Sequence, residues 1–74
     1  MKVFREIDPL PHEAKVRKFR AKAVLSAVQA EKDFGILTET GIINWYAGDY
    51  IYKDRDKLRI MSRAKFEYLY EELK

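Results

Sequence analysis

The stretch FGILTETGIINWYAGDYIYKDRDKLRIM, Phe34 to Met61, decides how this chain folds. Short apolar and aromatic runs alternate in it with three breaks: Glu39-Thr40-Gly41, Gly48-Asp49, and the charged loop Asp54-Arg55-Asp56-Lys57. Runs of about five residues bounded by such breaks read as strands joined in hairpins. Phe34–Thr38 and Ile42–Tyr46 flank a three-residue loop, with Gly41 where a left-handed conformation is wanted. That loop predicts Thr38 opposite Ile42, Leu37 opposite Ile43 and Gly35 opposite Trp45, the indole lying across a residue without a side chain. A second hairpin pairs Tyr50–Lys53 with Leu58–Met61 and sets Ile51 opposite Ile60 and Tyr52 opposite Arg59. One of its faces carries Ile51, Leu58 and Ile60. The other carries Tyr50, Tyr52, Arg59 and Met61.

Downstream, Ser62 sits where a helix cap is wanted, and Phe66, Leu69, Tyr70 and Leu73 recur at helical spacing. The spacing predicts a helix over 63–73 laid on the Ile51/Leu58/Ile60 face. Upstream, Pro9 and Pro11 favour an extended arm over residues 1–11, with Val3, Phe4 and Ile7 available to pin it down. His12 to Asp33 reads two ways. Local propensity favours a helix, with Pro11 at its first position and Gly35 to end it. Strand spacing instead gathers Lys18, Arg20 and Lys22 on one face. The fold class is therefore α+β: one domain, 1–74, in which a small antiparallel sheet of about four to five strands, built from two consecutive hairpins over 34–61, carries a C-terminal amphipathic helix on one face.

With 74 residues the chain buries only roughly 60% of its unfolded surface, and without cysteine it has no disulfide or thiolate metal site to add to its core. Ten aromatic residues (four Phe, five Tyr, one Trp) supply bulk instead. No apolar run approaches the roughly 20 residues of a membrane span, and neither a signal-peptide core nor a cysteine is present, so a cytoplasmic setting is expected. The net charge of +3 is uneven. Residues 1–32 hold eight Lys or Arg against four acids, and the excess gathers in Lys15, Arg17, Lys18, Arg20 and Lys22. Such a cluster can hold phosphate or an acidic surface.

The run Ala47-Gly48-Asp49-Tyr50-Ile51 resembles the family of small bacterial and bacteriophage proteins named for a Pro-Gly-Asp-Tyr-Gly motif (PGDYG). Ala27-Val28-Gln29, the Thr38–Gly41 hairpin, and Phe66 with Tyr70 follow the family's order, so the likeness covers residues 18–73; Ala47 and Ile51 replace the motif's first Pro and last Gly. The resemblance implies that Lys22–Gln29 is a strand, that the setting is a phage or prophage, and no particular activity.

Catalytic chemistry has little to stand on. His12 is the single histidine, Ser26 and Ser62 lack the surroundings of a nucleophile, and Asp54 and Asp56 are too few oxygens for calcium. Asp49 beside Gly48 reads as a turn former, and Gly41, Gly48 and Asp49 are assigned structural turn roles. No enzyme activity, cofactor or metal is expected. Binding is the better class. Tyr50, Tyr52 and Arg59 are expected to form an outward aromatic-cationic patch that grips a host or phage protein, as an inhibitor of a host or defence protein would. The alternative is a nucleic-acid-binding module that stacks bases on those aromatics and holds phosphates with Lys18, Arg20 and Lys22. No membrane partner is expected, and an exposed strand edge leaves a homodimer open.

Overall fold

A computed structural model describes residues 2–11 and 15–73. Eight strands and one helix follow in order: β1 (Lys2–Arg5), β2 (Val16–Arg20), β3 (Val24–Gln29), β4 (Phe34–Thr38), β5 (Gly41–Trp45), β6 (Tyr50–Asp54), β7 (Lys57–Met61), α1 (Arg63–Leu69) and β8 (Glu71–Glu72). The strands form two sheets rather than one, a three-stranded sheet ordered β1-β4-β5 and a five-stranded sheet ordered β7-β6-β3-β2-β8. The α+β reading holds, but the expected single sheet is corrected to a pair.

The helix lies on the opposite face from the one expected. The Ile51/Leu58/Ile60 face meets the three-stranded sheet, where Phe34, Ile36, Ile51 and Leu58 form one buried cluster with Phe4, Leu10, Ala30, Trp45 and Ile60 around it. The helix takes the Tyr50/Tyr52/Met61 face, where Phe19, Ala27, Tyr50 and Phe66 form a second cluster joined by Leu25, Tyr52, Met61 and Tyr70. The five-stranded sheet thus has a core on each side, one mixing aliphatic side chains with Phe4, Phe34 and Trp45, the other built on the ring stack around Phe66. Phe66 is 0% exposed and stacks on Tyr50 at 4.1 Å between centroids and on Tyr70 at 4.6 Å. Ala27 lies under this cluster because a larger side chain there would displace a ring.

Strands, not a helix, fill the described part of 12–33, and residues 12–14 with His12 lie outside the described residues. Val24–Gln29 matches the strand implied by the motif, while Lys22 falls in the turn between β2 and β3. Helix propensity loses because strand spacing sends Phe19 and Ala27 to one core and Val28 to the other. A helix would bury only one of these faces.

The second hairpin has the predicted register, Ile51 with Ile60 and Tyr52 with Arg59. Its pairing extends to Asp54 with Lys57, so Arg55 and Asp56 alone make the turn, both with positive φ (52° and 65°). The first hairpin differs by one residue. Its loop is Glu39-Thr40, Gly41 pairs with Thr38, and Trp45 faces Phe34 rather than Gly35. The Thr38 hydroxyl donates to the Gly41 carbonyl at 2.8 Å and accepts from the Thr40 amide, which closes the loop earlier than Gly41 alone would.

The helix is shorter than 63–73. It stops at Leu69, and the chain re-enters the sheet as β8 against β2, with the Leu73 amide bonded to the Lys18 carbonyl at 2.9 Å. Ser62 occupies the cap position but makes no side-chain cap bond. The N-terminal arm is partly regular: β1 runs parallel to β4 and its Phe4 joins the core, whereas Val3 and Ile7 stay exposed.

Candidate interaction surfaces

Three surfaces result from this layout. The first is the polar rim of the ring cluster. Strand alternation puts Arg17 beside Phe19 on the helix side of β2, turned away from the other basic residues. Its guanidinium donates to Gln29 Oε1 at 3.1 Å, to the Tyr50 hydroxyl at 3.3 Å and to Glu72 Oε1 at 3.2 Å. It also lies over the Phe19 and Tyr50 rings, 5.3 and 5.8 Å from their centroids. The Tyr50 hydroxyl donates to Glu67 Oε2 at 2.8 Å. Burial, reinforced by the Glu67 carboxylate, raises the Tyr50 phenol above its ordinary pKa, with Arg17 opposing. Burial also raises Tyr52. This network ties β2, β3, β6, α1 and β8 together, and its hydrogen-bonding groups are used by one another.

The predicted Tyr50/Tyr52/Arg59 patch is corrected here. Tyr50 is 3% exposed and Tyr52 is half-buried, both packed beneath Phe66, and only Arg59 reaches solvent freely. The cause is the choice of face: these tyrosines are the seat of the helix. Asp49 is a turn former of wider reach than expected. It is buried at 8% exposure, its Oδ2 accepts the Tyr46 amide at 3.1 Å and its Oδ1 accepts the Arg63 amide at 3.2 Å. Gly48, at φ 96°, lets the turn close so that its amide reaches the Ala30 carbonyl and its own carbonyl accepts from Gln29 Nε2. Gly41 has φ 121°, which also fits its assigned turn role.

The second surface is the part of the five-stranded sheet that the three-stranded sheet leaves open. Lys18 and Arg20 share it with Val16 and Val24, and Lys22 is exposed in the adjoining turn. Lys18 Nζ donates to Ser26 Oγ, and Glu71 of β8 stands opposite Arg20. Lys18 and Arg20 therefore lie on the opposite side of the sheet from Tyr50 and Tyr52. No single face offers both the phosphate contacts and the stacking rings of the nucleic-acid reading.

The third surface had no counterpart in the sequence-based site. Among the described residues, the outer face of the three-stranded sheet has no strand or helix packed on it. Phe34 and Ile36 point inward, so Leu37 points out, next to a buried Gly35, with Ile42 and Asn44 beside them on β5 and Val3 and Arg5 on β1. Val3, Leu37 and Ile42 are 41%, 45% and 53% exposed. The alternation in Phe34-Gly35-Ile36-Leu37 carries a signal for this face, but both its sides are apolar, so the sequence does not mark which one is covered.

Among the described residues no group of three or more His, Cys, Asp or Glu is placed to hold a metal ion, and no helix is long and apolar enough to cross a membrane. No family model, curated protein or solved structure matches this chain.

Proposed function

We propose that this protein is a non-enzymatic protein-interaction module of the phage or prophage type its Gly-Asp-Tyr turn resembles, and that it binds a host or phage protein with the outer face of its three-stranded sheet. The observation that carries this is the row Leu37–Ile42, with Val3 on the neighbouring strand, exposed on the face of the three-stranded sheet that turns away from the five-stranded one. Contiguous exposed apolar surface on a small domain marks a contact site. Arg5, at the end of the same row and held by Asp8 at 3.4 Å, gives that face a polar rim. Inhibition of a host or defence protein is the role that size and setting favour, by analogy alone.

The test is capture of a partner from bacterial lysate, followed by titration of that purified partner with variants. Leu37→Lys and Val3→Lys should weaken binding at least tenfold, while Tyr68→Ala on the exposed side of the helix should not. Undiminished binding by Leu37→Lys and Val3→Lys would place the contact elsewhere. Titrating short oligonucleotides at two salt concentrations separates the other reading, since phosphate neutralisation makes affinity fall steeply as salt rises.

A further inference from the structure

The two sheets have four edges among the described residues, and three of them are blunted in the usual ways. Edge strand β1 carries Lys2 and Arg5, β7 carries Lys57 and Arg59, and β8 is two glutamates long. The fourth, β5, reads Gly41-Ile42-Ile43-Asn44-Trp45 and has no charge, no proline and no bulge against β4. Four of its five residues are exposed, in a chain that is 36% charged overall. Alternate residues of such an edge leave backbone amides and carbonyls without a strand partner.

We infer that β5 pairs with the β5 of a second copy of this chain, antiparallel about a two-fold axis through Ile43. The sequence of the strand is its own complement in that register. Ile43 meets Ile43 of the second copy on the axis, Ile42 meets Asn44, and Gly41 meets Trp45. A Cβ built at Gly41 would touch nothing within 4 Å, so the indole edge of the second copy has open space there. An aromatic side chain beside an edge glycine is a known means of fixing register. Charge also favours a second copy over an acidic or basic partner, because the strand offers nothing for an opposite charge to pair with. Two copies each carrying +3 repel at long range, so pairing strengthens as salt screens them. A single five-residue edge falls below the roughly 1,600 Å² of a standard interface, which makes the dimer a concentration-dependent one. The product is a continuous six-stranded sheet. This goes beyond the outer-face reading and does not require it, since Ile43 lies on the inner side with Phe34, Ile36 and Trp45.

The experiment uses sedimentation together with cysteine cross-linking, which is clean because the chain contains no cysteine. The wild-type chain should pass from monomer to dimer as its concentration rises to about 500 µM, more readily in high salt. Facing residues of an antiparallel pair come within reach of a disulfide, so oxidised Ile43→Cys should give a covalent dimer. Ile42→Cys, which faces Asn44 and points to the other side, should give far less. Ile43→Lys should stay monomeric with an unchanged far-ultraviolet spectrum. A wild-type chain monomeric throughout that range, or equal cross-linking of the two cysteine variants, overturns the inference. Partner capture by the outer face would survive that result, so the two readings fail separately.

Discussion

The carboxylate of Asp49 receives the backbone amide of Arg63 at 3.2 Å, across 14 residues of chain, and thereby supplies the helix cap that Ser62 does not. The same carboxylate holds the Tyr46 amide, so a single buried acid fixes both the turn before β6 and the start of α1. Asp49→Ala should lower stability by about 1–3 kcal/mol, because it leaves two amides without their acceptor. Ser62→Ala should change it by less than about 0.5 kcal/mol. Urea unfolding of the two variants measures the contrast, and equal losses would return the capping role to Ser62.

Phe66 is the central ring of the helix-side core, in contact with Phe19, Tyr50, Tyr52 and Tyr70. Phe66→Ala should cost about 3–5 kcal/mol, a large part of what a domain of this size has in total. A loss of under about 1 kcal/mol in chemical denaturation would mean that the helix is not seated on these rings.

Alkaline pH should loosen the same core. Tyr50 and Tyr52 both have folded pKa values above the ordinary 10.0, chiefly because burial disfavours the phenolate. A group that holds its proton more tightly when folded contributes its full share below the unfolded pKa, and that share is lost as pH rises through the folded value. The unfolding midpoint should therefore hold up to about pH 10 and then fall, and Tyr50→Phe with Tyr52→Phe should flatten the decline. A midpoint for the double variant that falls as steeply as wild type would assign the alkaline loss to other groups.

The β6–β7 turn is a place where stability can be gained. Arg55 and Asp56 both occupy left-handed backbone, which Asn-Gly adopts more readily. Replacing the pair by Asn-Gly should add about 1 kcal/mol, seen as a higher melting temperature with the β6–β7 register unchanged.

Arg17 is the remaining structural test. Removing its side chain as Arg17→Met keeps apolar contact with Phe19 but strips hydrogen bonds from Gln29 Oε1 and Glu72 Oε1. A loss of about 1–2 kcal/mol is expected, together with faster amide exchange at β8. Wild-type exchange at β8 would show that the Arg17–Glu72 pair does not hold that strand.

Local chemistry made much of this fold legible in advance. The turn residues between Phe34 and Met61 marked both hairpins, and the charged loop fixed Ile51 with Ile60 and Tyr52 with Arg59, because turn position and a period of two leave little freedom. The one-residue slip at Gly41 followed from a Thr38 side-chain bond that spacing alone does not display. What tertiary structure decided is which side of each strand is inside. Ile51/Leu58/Ile60 and Tyr50/Tyr52/Met61 are both apolar enough to be core, so the pattern could not say which would take the helix. Packing settled it, because the three-stranded sheet presents Phe34 and Ile36 to Ile51 and Leu58, while Phe66 stacks between Tyr50 and Tyr70 on the opposite side. The same choice buried Tyr50 and left Leu37 and Ile42 facing water. Hairpin pairing was a local matter for this chain; the order of strands in two sheets, and which faces lie inside, depended on contacts between residues far apart in it.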